Sequence, residues 1–471
     1  MIIRKYFREF ALAAVFLTAA AILLNFIVPP FQSPDETKNF GAIMIYARGE
    51  NQRPEVEQEI IRFMDRNQWW KYVGMGRPDE LPAALSDIPF LMDYNPGSDF
   101  RVLLNNIVFY HFLLGKTAAV LGFKEVVPAY YFCRFVSLLF MAGAIFLAVL
   151  AFMKISSRQT QFFRWGIGVV LFLPQFLLGV VAVNADAMAV FLGALFFYAV
   201  VSLMSGERKD KYFAVLVGTG VLGFLTDRST FILIPLGVLV LFSLIKKLDY
   251  REYVVSVLAF FVVFFMLAAV LVNLFPLQAD SSIRLFGTNL QNIGKALPQL
   301  FSLREFNREL LVTSMDGFLF KFGWAAFSAA EPFYVLWRSL VVLALIGAWI
   351  YLIKWILSRF KKRQRPSADE YNFKLAVFFM LAVFLQLSAV WTYYGVHNIM
   401  TQGRYFFPLL IPVVYLFLLG INTFFDVFRK GAGRTAVAAI VVLEFFFLNF
   451  CIWQYLIPVF HQIIKSPIAG I

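Results

Sequence analysis

The stretch FALAAVFLTAAAILLNFIV, Phe10 to Val28, runs without a charge into Pro29-Pro30-Phe31-Gln32-Ser33-Pro34-Asp35-Glu36. A bilayer core takes about 20 residues of helix, so the run is long enough to cross it. Pro29-Pro30 ends the helix, because the residue before a proline is pushed out of helical conformation. No small-residue cleavage site follows, and the segment reads as a signal anchor. Two adjacent carboxylates then stand at the lip of the membrane, where water thins. A carboxylate there serves as a base, or holds a cation, more effectively than one on an open surface.

The same apolar texture recurs along the chain. Of its 471 residues 61% are hydrophobic, 57 are Phe and only 15% are charged, which no water-soluble globule of this length accommodates. The reading is an all-α polytopic membrane protein, one bundle of about eleven transmembrane helices. The spans fall near 10–28, 129–153, 166–183, 187–204, 213–225, 230–245, 253–274, 336–357, 375–391, 406–424 and 436–458. Two extracytoplasmic loops interrupt them, 29–128 and 275–335.

The net charge of +13 sits at alternate ends of these runs: Arg4, Lys5 and Arg8; Lys154, Arg158 and Arg164; Arg208, Lys209 and Lys211; Lys246, Lys247 and Arg251; Arg359 through Lys374; Arg429, Lys430 and Arg434. This is the positive-inside pattern. It puts the N-terminus in the cytoplasm and the C-terminus outside, in a plasma membrane, and assigns the basic surplus to topology and membrane lipids rather than nucleic acid. Ile107 to Leu121 is apolar but carries His111 and Lys116; counted as a span it would reverse every later orientation, so it is read as an interfacial helix. Glu55 to Trp70 has helical periodicity, and Trp69, Trp70 and Tyr72 suggest an aromatic belt or a sugar-stacking platform. The two cysteines, Cys133 and Cys451, lie in apolar runs without metal-ligand spacing and read as core residues.

The acids worth attention share the outer face: Asp35 and Glu36, Asp186 in Val183-Asn184-Ala185-Asp186, and Asp227 beside Arg228. One such turn merely solvates helix ends, but several converging suggest an outward-facing polar cavity. Arg404 joins them in Thr401-Gln402-Gly403-Arg404-Tyr405-Phe406, where the chain re-enters the membrane. Its planar donors suit a phosphate or carboxylate, and Gly403 permits close backbone approach. Glu444, an acid inside a span, is either protonated or bonded to a neighbouring helix.

Pro34-Asp35-Glu36 after the first span, Asn184-Ala185-Asp186 after the third and Gln402-Gly403-Arg404-Tyr405-Phe406-Phe407-Pro408 entering a late span together resemble a large group of bacterial membrane proteins assigned to the GT-C glycosyltransferase superfamily. Protein O-mannosyltransferases and the aminoarabinose transferase of lipid A are more distant relatives of that group. Interfacial helices in the first outer loop are a feature of the superfamily. The group often continues Pro-Asp-Glu-x-x-His-Phe, whereas this chain has Asn39 where the histidine is usual; an amide can orient a carboxylate or bind a sugar hydroxyl but cannot shuttle a proton. Asn105-Asn106-Ile107-Val108-Phe109-Tyr110 stands where the group has a Pro-Pro-Leu-Tyr-Tyr type segment.

The resemblance implies an inverting transfer from a polyprenyl-phosphate-linked sugar donor to an acceptor hydroxyl on a glycan, a lipid or a protein. Asp35 would be the general base, with Glu36 sharing that role, orienting the acceptor or binding a divalent cation, Mg or Mn, which two adjacent carboxylates do not decide. Asn39, Asn184 and Asp186 would bind acceptor or sugar. Arg404, with Gln402, Tyr405, Arg134, Arg228 and Lys321, would offset charge on the leaving phosphate. Two other classes fit the composition. An O-antigen-type polymerase or ligase usually builds its site from basic residues in a late periplasmic loop. A flippase or transporter for lipid-linked sugar predicts midplane charge and a two-fold repeat.

Overall fold

The computed structural model describes residues 7–33, 35–72, 77–88, 109–158, 161–206, 209–244, 308–322, 327–360, 367–397 and 403–461. Their regular structure is helical apart from a two-residue antiparallel pairing of Lys321–Phe322 with Phe327–Ser328. The first apolar run forms α1 (Phe7–Ile27), which packs against α5 (Val126–Arg158). Between them the first loop supplies α2 (Glu36–Arg48), α3 (Arg53–Arg66) and α4 (Phe109–Val120). Next come α6 (Gly166–Phe172), α7 (Pro174–Val180), α8 (Ala185–Met204), α9 (Lys209–Thr226) and α10 (Leu233–Leu244). The C-terminal part holds α11 (Arg308–Leu319), α12 (Glu331–Phe360), α13 (Ser367–His397), a 3-10 segment Gly403–Leu409 leading into α14 (Leu410–Phe428), and α15 (Ala432–Cys451), which a π turn carries on to His461.

Six of the described helices are long and apolar enough to cross a membrane: α5, α8, α12, α13, α14 with its lead-in, and α15 with its continuation. Three further apolar helices, Val15–Ile27, Phe163–Phe172 and Lys211–Thr226, are shorter. Of the roughly eleven spans expected, six are matched at full length among the described residues, and the run 253–274 lies outside them. The run 166–183 is not a single helix. Pro174 has no N–H to give, and Leu173 before it is extended at φ −71°, ψ 109°, so the run splits into α6 and α7.

Burial distinguishes centre from rim. In α8, 78% of the spanning window is buried; in α12 only 17% is, and Leu345, Trp349, Ile353 and Leu357 form an exposed ridge. The other side of α12 seats on α14 through small residues. A Cβ on Gly347 would lie 1.9 Å from the Gly420 carbonyl oxygen, and one on Gly420 1.9 Å from that of Ala344. Such backbone contact replaces the hydrophobic drive that lipid does not supply.

The first-loop helices form a second core over the end of α5, centred on Phe31, Phe40, Trp69 and Tyr130, with the Phe31 and Tyr130 rings 4.7 Å apart. Trp69 and Trp70 belong to this core. Both are buried, and the Trp69 indole donates to the Phe31 carbonyl at 2.9 Å, so they are neither an aromatic belt nor a sugar platform. The run around 107–121 becomes the 12-residue helix α4, too short to cross a bilayer and laid along α2, with Tyr110, His111, Leu114 and Ala118 buried.

Candidate functional site

The turn after α1 holds two residues in the left-handed region, Phe31 and Asp35, both at φ +64°. Non-glycine residues persist there only where surroundings hold them. Phe31 is held by its core and by the Tyr130 hydroxyl, which accepts from its N–H at 3.1 Å. The left-handed kink at Asp35 sends neighbouring carboxylates opposite ways. Glu36, the first residue of α2, is 0% exposed and accepts from the Tyr130 hydroxyl at 2.7 Å, the Val183 N–H at 3.0 Å and the Ser33 N–H at 3.2 Å. Arg134 lies 3.6 Å from it and donates to the carbonyls of Val28 and Pro29, both at 3.0 Å. Both carbonyls lie just past the last turn of α1. Glu36 and Arg134 thus staple the turn to the start of α5 and to the chain entering α8.

Asp35 faces the other way. Its Oδ2 receives Arg404 Nη2 at 2.6 Å, across 369 residues of sequence. Arg404 Nη1 lies 3.1 Å from Asp186 Oδ2, so one guanidinium bridges two carboxylates. The side chains of Asp35, Asp186 and Arg404 are 26%, 23% and 11% exposed, a site half withdrawn from solvent. Asp186 opens α8, whose N-cap Asn184 accepts from the Asp186 N–H at 3.2 Å and donates to its carboxylate at 2.9 Å. Asn39, one turn after Asp35, donates to Asn184 Oδ1 at 3.1 Å, and its own oxygen lies 2.8 Å from His111 Nε2.

Arg404 is delivered by the 3-10 segment. Gly403 there meets the backbone of α11: a Cβ on it would fall 2.0 Å from the Phe318 nitrogen. Gln386 on α13 donates to the Tyr405 carbonyl at 2.7 Å, and the Arg404 guanidinium carbon is 5.7 Å from the Tyr405 ring centre. Asp227 is spent locally, accepting from the Ser229 N–H at 2.7 Å. Its turn, Arg228–Thr230, packs against the 3-10 segment.

Of the residues singled out in the sequence, Asp35, Asn39, Asn184, Asp186, Arg404 and Tyr405 come together. Glu36 and Arg134 pair with each other beneath them. Gln402 and Pro34 lie outside the described residues, as do the side chains of Arg228 and Lys321. No group of three or more His, Cys, Asp or Glu able to hold a metal ion occurs among the described residues; between Asp35 and Asp186 the countercharge is the Arg404 guanidinium.

Sequence reasoning missed His111 and Lys38. His111 is 2% exposed, and burial pushes its imidazole down to about 3, so it is a neutral group at physiological pH. Its signal was a histidine in register with Leu114 and Ala118 on the apolar side of a short helix. Lys38, on the first turn of α2, is half-buried; burial pulls its ammonium from the ordinary 10.5 to about 7, against the attraction of Asp35. Between those values the folded protein binds fewer protons than the unfolded chain, so Lys38 makes stability rise with pH from about 7 towards 10.5, and below 7 its cost is present in full. Lys38→Met is expected to flatten that slope in thermal midpoints taken across this range. An unchanged slope would show that Lys38 titrates normally.

Glu444 lies apart from the site, on α15 beside a shallow cleft walled by Phe333, Trp337, Leu340 and Phe447. Neither of its carboxyl oxygens has a hydrogen-bond partner among the described residues. An unsatisfied buried polar group costs about 1–3 kcal/mol. Glu444→Leu is accordingly expected to raise the thermal midpoint, and a lowered one would reveal a partner for the carboxyl.

The comparisons with known proteins agree with the apolar bundle. No curated protein matches the chain. One family model does, over residues 16–413 and hence most of its length: the chain belongs to DUF2142, a family of predicted membrane proteins.

Proposed function

We propose that the protein is an integral-membrane glycosyltransferase of GT-C type, moving a sugar from a polyprenyl-phosphate donor to an acceptor hydroxyl at the extracytoplasmic face with inversion. The observation that carries this reading is the union of three distant motifs, Pro-Asp-Glu, Asn-x-Asp and Gly-Arg-Tyr, in one ion cluster through the Arg404 contacts at 2.6 and 3.1 Å. A structural ion pair would use one acid and one base. Here one guanidinium bridges two carboxylates from distant parts of the chain, and one of them, Asp35, stands on a left-handed turn near half-buried Lys38.

In the transfer, the acceptor oxygen attacks the anomeric carbon and gives its proton to Asp35. The bond from that carbon to the phosphate oxygen breaks on the opposite side, and polyprenyl phosphate departs with the electron pair. Arg404 offsets the charge growing on the phosphate. In the structure the same guanidinium is hydrogen-bonded to Asp35. A donor phosphate that draws Arg404 towards itself therefore unmasks the base on arrival. Glu36 and Arg134 act as support, and Asn184 and Asp186 orient the acceptor or sugar.

The test is the fate of label in a radiolabelled polyprenyl-phosphate sugar given to the protein in liposomes. Movement of label to a monomeric acceptor supports transfer. Lengthening chains would instead make the protein a polymerase or ligase of O-antigen type, and unaltered donor on the other leaflet a flippase.

A further inference from the structure

We infer that His111 is a positioning residue that, through Asn39 and Asn184, holds Asp186 on Arg404 and leaves Asp35 as the carboxylate that gives way to an incoming phosphate. The inference rests on the transfer reading proposed above, and it specifies which half of the Arg404 fork the ligand takes.

The argument starts from a donor that cannot be reversed, the backbone N–H of Asp186. It donates to the Asn184 side-chain oxygen at 3.2 Å, which fixes that amide and turns its Nδ2 towards Asp186 Oδ2, 2.9 Å away. Asn39 approaches the same Asn184 oxygen at 3.1 Å, so it must present its own nitrogen there. Its oxygen is then turned towards His111 Nε2 at 2.8 Å, and an oxygen facing a ring nitrogen requires the proton on that nitrogen. Each link thus points one way, from His111 through Asn39 and Asn184 to Asp186.

His111, Asn39 and Asn184 are all buried and come from three elements, α4, α2 and the entrance to α8. A chain of that polarity ends on an acceptor and favours Asp186 as a carboxylate, which then keeps Arg404 Nη1 at 3.1 Å. Asp35 is not a link in it. It reaches Arg404 Nη2 from a left-handed turn residue, so the Nη2 side of the fork is the exchangeable one.

The chain contains three histidines, so 15N-histidine labelling of the full protein in nanodiscs yields a sparse spectrum, and loss of signals in His111→Gln assigns His111. The expected result is a neutral ring with the proton on Nε2 from about pH 5 to 8, where an ordinary histidine titrates. A proton on Nδ1, or charging near pH 6, overturns the inference. The second arm measures transfer from a polyprenyl-phosphate sugar. His111→Leu is expected to lower kcat about 10- to 100-fold, the cost typical of losing a partner that orients a first-contact ligand, with the donor KM within about threefold. His111→Gln, which can donate from a similar place, is expected to recover most of the loss. Equal activity in the two variants overturns the positioning role. If the wild type transfers no sugar, the transfer reading falls alone, and the tautomer still decides whether His111 anchors Asp186.

Discussion

Asp35→Asn is expected to lower turnover by about 10²- to 10⁴-fold, the usual worth of a positioned general base, while donor binding holds or improves. The substitution is isosteric. Asparagine is among the residues most at ease in the left-handed region, so the φ of +64° that aims position 35 costs no more than before. The side-chain oxygen still accepts from Arg404 Nη2, so the turn and the fork keep their shape. Only charge and basicity go. The exposure of Asp35, 26%, limits the stability lost with the ion pair to about 1 kcal/mol, so an inactive variant will still be a folded one. Removing one carboxylate also ends its competition for the guanidinium, which is why a phosphate-bearing lipid should bind at least as well. Turnover near the wild-type value would strip Asp35 of the base role, and weaker binding of a polyprenyl phosphate would show that Arg404 needs Asp35 to hold it in place.

How much of this could be read from sequence follows from what each signal encodes. Charge-poor runs and proline stops mark helices in one dimension, so α1, α5, α8 and α14 were legible, and so was the meeting of Asp35, Asp186 and Arg404 at one end of the bundle. Direction is a different quantity. Asp35 and Glu36 are neighbours in sequence, yet a single left-handed residue sends one carboxylate to Arg404 and buries the other under Tyr130 and Val183. Two adjacent acids therefore looked like one site. The same blindness made Trp69 and Trp70 look like surface aromatics, because amphipathic periodicity in α3 says which face is apolar and not what covers it. An amide at position 39 can orient a carboxylate, and Asn39 reaches Asp186 at one remove, through Asn184, with His111 behind it. No spacing in the chain links residues 39, 111 and 184.

The second large effect is expected at Arg404. Arg404→Ala leaves Asp35 and Asp186 without the guanidinium that bridges them, in a site where a like charge is poorly screened. Opening a buried pair costs about 3–5 kcal/mol, and since each carboxylate keeps about a quarter of its surface in solvent, about 3 kcal/mol is the reasonable figure. Binding of a polyprenyl phosphate and turnover should both fall. Loss of function in an unstable variant proves little by itself, so the discriminating experiment neutralises the acids as well. Arg404→Ala combined with Asp35→Asn and Asp186→Asn removes the repulsion and should restore most of the thermal midpoint, yet leave phosphate binding lost, because the groups share one network and their stability costs do not add. Arg404→Lys completes the set. An ammonium keeps the charge but not the planar fork, so it can serve one carboxylate at a time, and it should recover stability better than it recovers phosphate binding. If the triple variant binds the phosphate lipid as the wild type does, Arg404 serves only to hold two acids together, and the donor's phosphate must be met elsewhere.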